Sequence, residues 1–134
     1  MDDLELVEKA RQARTMAYSP YSRFQVGAAV ECEDGAVFTG CNIENSSYGA
    51  TVCAERTALF SAISSGRRRV RRLAVVCGSG QPCLPCGICR QVIAEFATDD
   101  FRLLADAAEP LPEPAIFLLD ELLPHRFVLE THET

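Results

Sequence analysis

Three of the seven cysteines of this chain lie in two short stretches, Thr51-Val-Cys53-Ala-Glu55-Arg56 and Pro85-Cys86-Gly-Ile-Cys89-Arg90-Gln91. If Cys53, Cys86 and Cys89 meet in space, their three thiolates form a metal site. Zinc prefers four tetrahedral ligands, and a catalytic zinc keeps the fourth position open for water. The two stretches therefore predict a zinc centre with a free coordination position.

Four residues beside the ligands complete the predicted site. Glu55 follows Cys53 by two positions, so it can stand beside the zinc water as a carboxylate that moves protons without binding the metal. Three thiolates leave the zinc centre with a negative charge, which weakens its ability to lower the pKa of bound water. Arg56 and Arg90, with Gln91 next to them, are expected to support the sulfurs by hydrogen bonding and to restore that ability.

Length and charge limit the possible classes of protein. The 134 residues fit a single domain, residues 1–134, and the formal net charge of −6 argues against a nucleic-acid-binding surface. The run Arg67–Arg72 is interpreted as a solvated turn. Seven cysteines, an odd number, and a start that lacks the features of a secretory signal favour a cytoplasmic location with free or metal-bound thiols. No apolar run has the length of a membrane span.

The apolar pattern predicts an alternation of helices and strands. A first helix is expected from Asp2 to Tyr18, a second from Ala50 to Ser65 and a third from Pro85 to Ala97. The expected strands cover residues 24–30, 36–43, 73–77, 101–104 and 115–119, and Asp34-Gly35 marks a hairpin between the first two. This order predicts an α/β fold, a three-layer α-β-α sandwich on a mixed sheet of about five strands.

Two other classes of protein use similar cysteine patterns. A structural zinc module would need a fourth ligand, and Cys83 is available for it, although this residue precedes the helix that favours thiolates. A dithiol redox protein would use Cys86 and Cys89 alone, which leaves Cys53 and Glu55 without a role. The remaining cysteines fall in strands and are interpreted as small buried apolar residues: Cys32, Cys41 and Cys77. Neither His125 nor His132 has a partner at a suitable spacing.

The motifs of this chain resemble those of the short, free-nucleoside branch of the cytidine deaminase family. The resemblance covers Tyr18 to about Phe96 and is carried by Tyr18-Ser-Pro-Tyr-Ser-Arg-Phe24, Gly40-Cys-Asn42-Ile-Glu44-Asn45, Ser47-Tyr48, Cys53-Ala-Glu55-Arg56 and Pro85-Cys86-Gly-Ile-Cys89-Arg90-Gln91. Zinc deaminases are known to use three cysteine ligands and a glutamate that does not bind the metal.

The resemblance implies a reaction and its cofactor. Cys53, Cys86 and Cys89 would bind one Zn2+ per chain, and Glu55 would move protons during hydrolytic deamination by zinc-bound hydroxide. The implied substrates are cytidine and 2′-deoxycytidine, and the products are uridine, 2′-deoxyuridine and ammonia in pyrimidine salvage. A blasticidin-S-type deaminase, acting on a cytosine nucleoside antibiotic, is the alternative because the end of the chain departs from the usual pattern of the family.

The resemblance also implies substrate-binding residues. Asn42 and Glu44 would hydrogen-bond the ribose, Phe24 would pack against the sugar or base, and the backbone at Ala54 would contact the base. Two further residues would reach the site from neighbouring subunits of a homotetramer: Tyr48 and Phe127. No partner other than a small nucleoside and copies of this chain is expected.

Overall fold

The elements of the protein follow the predicted order of helix, hairpin, helix, strand, helix and two strands. The computed structural model describes residues 1–130. Its helices are α1 (Asp3–Arg14), α2 (Ala54–Ser64), α3 (Gly87–Phe96) and the short α4 (Leu119–Leu122). Its strands are β1 (Val26–Cys32), β2 (Val37–Cys41), β3 (Val70–Cys77), β4 (Ala97–Ala107) and β5 (Ala115–Leu118). His132 lies outside the described residues.

The five strands form one mixed sheet in the order β2-β1-β3-β4-β5. Strands β3 and β4 are parallel and are joined by α3, because parallel neighbours need a crossover connection. The other neighbouring pairs are antiparallel. The α/β fold class and the five-strand mixed sheet are therefore as predicted.

Helices cover both faces of the sheet. Successive residues of a strand point to opposite faces, so Ala29 packs toward α1 while its neighbours Ala28 and Val30 pack toward α2 and α3. Helix α1 seals its face with Leu6, Val7 and Ala10, all of them buried. The result is the predicted three-layer arrangement, with the larger part of the core on the side of α2 and α3.

Several element boundaries differ from the predictions. Helix α1 ends at Arg14, well before Tyr18, and residues 15–25 form a loop in which Tyr18 pairs with Ile43. Helix α2 begins at Ala54 rather than Ala50, because the preceding Val52 also pairs with Ile43. Long-range backbone pairing therefore replaces two stretches that local periodicity assigned to helix. Helix α4 was not predicted and takes Leu119 from the expected last strand.

A glycine allows α2 to approach the edge of the sheet. A Cβ atom at Gly40 would lie 2.4 Å from the backbone nitrogen of Ala58 and 2.9 Å from the carbonyl oxygen of Ala54. Any side chain at this position would therefore push α2 away from β2. Since Gly40 and Cys41 lead directly to Asn42, this close contact also fixes Asn42 relative to the start of α2.

A buried network of charges lies on the α1 face of the sheet. The guanidinium of Arg72 donates to both carboxylate oxygens of Glu31, at 2.9 and 2.6 Å, and to Asp3 at 2.6 Å. It also donates to the carbonyl oxygen of Met1, and Arg102 makes two further bonds to Asp3. These contacts tie the first residues of the chain to β1, β3 and β4.

The run Arg67–Arg72 is only in part the predicted solvated turn, because β3 begins at Val70 and Arg72 is buried. Most of the run makes contacts within the protein. Arg67 pairs with Asp34 at 3.3 Å and lies over the ring of Phe38, 5.4 Å from its centre. Arg68 donates to the carbonyl oxygen of Ile63, near the end of α2. The run therefore fastens the turn between α2 and β3 to the β1–β2 hairpin.

Across residues 1–130, no helix combines the length and apolar character needed to cross a membrane.

Candidate active site

Two helix starts bring the three predicted metal ligands together. Cys53 is the residue that caps the amino end of α2, and Cys86 has the same position at α3. Cys89 lies in the first turn of α3 and is buried. Helix amino ends carry unpaired N–H groups and a partial positive charge, both of which stabilise a thiolate.

The sulfur atoms have the spacing that a zinc ion requires. The three Sγ atoms lie within 4.8 Å of one another, and those of Cys53 and Cys86 are 3.9 Å apart. Tetrahedral zinc with bonds of about 2.3 Å places two sulfurs about 3.8 Å apart. Cys53, Cys86 and Cys89 therefore fit a zinc ion with little movement.

The surroundings of Cys53 favour its ionised form. A hydrogen bond from the thiol of Cys89 and a contact at 3.5 Å from the guanidinium of Arg56 lower the pKa of Cys53 to about 5. The same bond to Cys53, together with burial, raises the pKa of Cys89. Without metal Cys53 thus ionises in preference to Cys89, and the binding of a cation would favour ionisation of Cys89 as well.

Glu55 occupies the first turn of α2, beside the sulfur cluster. Its side chain is buried, and burial raises its pKa to about 7. Glu55 is not part of the group of three metal-ligating side chains but lines the same cavity as Cys53 and Cys86. This is the placement expected of a carboxyl group that exchanges protons with a bound molecule.

The predicted supporting residues make different contacts: Arg56 contacts a sulfur atom, whereas Arg90 contacts backbone carbonyl groups. Arg56 contacts Cys53, as expected. The guanidinium of Arg90 instead donates to the carbonyl oxygens of Pro85 and Leu122, both at 2.8 Å. The predicted contact of Arg90 with a sulfur is therefore corrected, because the carbonyl oxygens of Pro85 and of Leu122 in α4 take up its hydrogen bonds. Arg90 holds the segment that carries Cys86, while Gln91 is exposed.

One cavity of about 300 Å³ joins the metal cluster to the predicted substrate residues. Among the predicted residues, its walls contain Phe24, Asn42, Glu44, Cys53, Ala54, Glu55 and Cys86. The walls also contain residues for which the sequence suggested no role in substrate binding: Ser22, Val26, Thr51, Val75, Cys83 and Leu84. Ser22 stands inside the motif that ends at Phe24, which is the one signal that would have pointed to it.

Asn42 and Glu44 hold the loop that carries Phe24. The side chain of Asn42 accepts from the backbone nitrogen of Val26 at 2.9 Å and donates to the carbonyl oxygen of Phe24 at 2.8 Å. The carboxylate of Glu44 accepts from the backbone nitrogens of Tyr21 and Ser22 and from the hydroxyl of Ser22. Both side chains line the cavity, so they organise its wall as well as facing any ligand.

The residues expected to act across subunits lie outside this cavity. Tyr48 is 79% exposed and lines an adjoining cavity of about 270 Å³, of which Glu44 forms a shared wall. Phe127 is 70% exposed and lies near Gln91 and the end of α3. Within one chain neither residue reaches the cluster of cysteines, and His125 is exposed at a distance from it.

A disulfide joins Cys77 to Cys83, which corrects three predictions. The first is that all cysteines carry free or metal-bound thiols. Cys77 is buried as expected, but it is not a free apolar residue. Cys83 is not available as a fourth metal ligand, because its sulfur is already bonded. The loop between them turns back through a bond from the hydroxyl of Ser79 to the carbonyl oxygen of Gln81, which brings the two Cα atoms to 6.0 Å. Cys32 and Cys41 are free.

Comparisons with known proteins agree with this geometry. Residues 1–105 match the family described as "Cytidine and deoxycytidylate deaminase zinc-binding region". A cytidine deaminase from Halalkalibacterium halodurans is 51% identical over 131 residues, which cover 97% of each chain. A blasticidin-S deaminase from Bacillus cereus is more distant, at 36% identity over 110 residues, 76% of this chain and 78% of that protein.

A solved structure shares the whole fold. The cytidine deaminase from Burkholderia pseudomallei superposes with a TM-score of 0.88 at 43% identity, and the match covers 95% of this chain and 100% of that one. The predicted family, fold class and zinc-dependent type of enzyme are confirmed by these matches and by the cluster of Cys53, Cys86 and Cys89. This chain belongs to the zinc-binding family of cytidine and deoxycytidylate deaminases.

Proposed function

We propose that this protein catalyses the hydrolytic deamination of cytidine and 2′-deoxycytidine, giving uridine or 2′-deoxyuridine and ammonia. The observation that carries the proposal is a single cavity that holds a three-cysteine metal cluster, a buried carboxyl group and polar side chains suited to a sugar. Relatives that match nearly the full length of this chain are named cytidine deaminase.

Cys53, Cys86 and Cys89 hold the metal in this proposal, and Glu55 handles the protons. A zinc ion bound by three protein ligands supplies a water molecule of lowered pKa as the nucleophile. Glu55 takes up a proton from the attacking water and delivers it to the ring nitrogen next to the amine-bearing carbon. Glu55 would then take up the proton of the hydroxyl group added to the ring carbon and pass it to the amine. The bond between this carbon and the amine breaks, ammonia leaves and a carbonyl group remains. Water is consumed and no redox step is involved.

The rest of the cavity positions the nucleoside. The backbone at Ala54, beside Glu55, is suited to hydrogen bonds with the edge of the base, and Phe24 supplies an apolar surface. Asn42 and Glu44 face the sugar, each with hydrogen-bonding capacity that the loop does not use. The carboxylate of Glu44 would also repel a phosphorylated or polymeric substrate.

The test combines metal analysis with an absorbance assay. Protein purified without added metal should contain about one zinc per chain, as three cysteine ligands imply, and should remove the absorbance band of cytidine. Cytidine 5′-monophosphate serves as the matched substrate and should react poorly. Protein that lacks zinc, or zinc-loaded protein that leaves cytidine intact, would contradict the proposal.

We further propose that the active enzyme is a homotetramer with shared sites, acting in pyrimidine salvage in the cytoplasm, where the three ligand thiols stay reduced. The high exposure of Tyr48 and Phe127 supports a role for both at a neighbouring subunit. Tyr48→Ala and Glu55→Gln proteins, each weakly active, should recover activity when mixed and reassembled. A monomer in sedimentation experiments, with full activity, would contradict shared sites.

A further inference from the structure

The loop between α1 and β1 closes around the carboxylate of Glu44. Its Oε1 atom accepts from the backbone nitrogens of Tyr21, at 2.9 Å, and Ser22, at 3.1 Å. Its Oε2 atom accepts from the hydroxyl of Ser22. Three donors from two adjacent residues therefore fix the plane of this carboxylate, although it lies 22 positions further along the chain.

The carboxylate of Glu44 can accept one more hydrogen bond, which suits one hydroxyl group of a ligand. An ionised carboxylate has about four acceptor positions, two on each oxygen. The loop fills both positions of Oε1 and one of Oε2, so one position of Oε2 is left. Glu44 lines the cavity that also contains Glu55. A sugar hydroxyl that enters this cavity would donate a hydrogen bond to this last acceptor position.

The hydroxyl of Ser22 has a fixed direction. Its Oγ atom accepts from the backbone nitrogen of Phe24 at 3.0 Å, so its proton is directed to Glu44. One side chain thus connects the carboxylate that faces the sugar with the backbone of the residue that faces the ring. Arg23, between them, has a φ of +59°, which is uncommon for a residue with a side chain, so the loop is held in one specific shape.

We propose that Ser22 is a positioning residue that aims the free acceptor position of Glu44 at a sugar hydroxyl and thereby sets the preference for nucleosides that carry it. The proposal rests on the proposed function, because it takes a cytosine nucleoside as the ligand. Within residues 1–130, Ser22 makes no hydrogen bond to Cys53, Cys86 or Cys89, so it acts through Glu44.

Binding of one reaction product and of its dideoxy analogue provides the test without depending on turnover. Calorimetry on the zinc-loaded protein would measure the dissociation constants of uridine and of 2′,3′-dideoxyuridine, which lacks both ring hydroxyls. The wild-type protein should prefer uridine. In Ser22→Ala this preference should fall about tenfold, the usual worth of a hydrogen bond to a charged group. Ser22→Thr, which keeps the hydroxyl, should restore it.

Two controls separate positioning from general damage to the loop. Ser19→Ala removes a hydroxyl from the same loop, where only the carbonyl oxygen of Ser19 is bonded, to the backbone nitrogen of Arg23, and should leave the preference unchanged. In a Glu44→Ala background, Ser22→Ala should have no further effect on the preference, because the group it positions is gone.

The outcomes distinguish this proposal from the proposed function. A protein that deaminates cytidine but shows the same preference in Ser22→Ala overturns only the role of Ser22. Equal losses for uridine and dideoxyuridine also overturn it, since Ser22 would then act through the fold of the loop. A wild-type protein that neither deaminates cytidine nor binds uridine overturns both.

Discussion

The cavity has a metal-facing half beside the cysteine cluster and a half that is proposed to face the sugar, called the sugar-facing half, and the two are built in different ways. The metal-facing half stands on the first turns of α2 and α3 and consists of Cys53, Glu55, Cys86 and Cys89. The sugar-facing half stands on a loop and a short paired segment and consists of Ser22, Phe24, Asn42 and Glu44. Core packing fixes the first half, and hydrogen bonds between side chains and backbone fix the second.

The difference indicates that one half is suited to catalysis and the other to the selection of substrate. Helix starts supply rigid positions and a positive field, which the reacting groups need because small displacements are costly in catalysis. A loop fastened by polar contacts can change its residues without disturbing the core, so it suits the selection of substrate. Ile43 connects the halves, since it pairs with Tyr18 in the loop and with Val52 just before Cys53.

The largest effect on the metal-facing half is expected from Glu55→Gln. The amide keeps the shape of the side chain but cannot take up and release a proton, so kcat should fall by about a hundred- to ten-thousandfold. Zinc should remain at one ion per chain, which metal analysis would check. Glu109→Gln, an exposed change of the same kind, should be neutral. Turnover near the wild-type rate would assign the proton transfers to another group.

A change on the opposite face of the sheet should affect stability but neither half of the cavity. Arg72→Met would leave the carboxylate of Glu31, which is 9% exposed, without its main partner. Removing one member of a buried ion pair typically costs about 3–5 kcal/mol of unfolding free energy. Urea unfolding would measure this loss, and Arg69→Met, in an exposed part of the same basic run, is the matched control.

Acid should remove most of the difference between wild type and Arg72→Met. The hydrogen bond from Arg72 lowers the pKa of Glu31, and that from Arg102 lowers the pKa of Asp3. A lowered pKa contributes stability that is complete above the ordinary values of 4.5 and 3.8 and is lost as the pH falls through the folded values. A difference that grows in acid, or an altered KM at neutral pH, would contradict this account.

In the sugar-facing half, Glu44→Ala should raise KM while kcat and zinc content stay close to wild type. The variant loses the acceptor for a sugar hydroxyl and the three bonds that hold the loop, an effect of about ten- to a hundredfold. Glu33→Ala, in the exposed β1–β2 turn, is a control with the same change of charge. An unchanged KM would show that the ribose role assigned to Glu44 is wrong.

The sequence was most informative where a local rule determines the geometry. Asp34-Gly35 marked the hairpin correctly, and the proximity of Cys53, Cys86 and Cys89 followed from their places at two helix starts. It was least informative where partners are distant in the chain. The bonds from Ser22 to Glu44 and from Arg90 to the carbonyl of Leu122 depend on how loops and α4 pack, and no local pattern encodes that.

Removal of the Cys77–Cys83 disulfide would show whether the cavity wall between the two halves is held by this bridge or by the packing of the core. Cys83 and its neighbour Leu84 line the cavity, yet the following Cys86 is held independently by the start of α3 and by the bond from Arg90 to Pro85. Cys83→Ser, or reduction with a phosphine that does not chelate zinc, should therefore lower the unfolding free energy by about 2 kcal/mol.

Loss of the disulfide should affect catalysis less than the changes at Glu55 and Glu44. With Cys86 anchored, kcat/KM should vary by less than about twofold, and zinc content should not change. Cys41→Ser replaces a cysteine without a bridge and controls for the loss of a sulfur. If zinc were lost on reduction, the bridge would be holding a ligand in place, and the metal-facing half would depend on its loop as the sugar-facing half does.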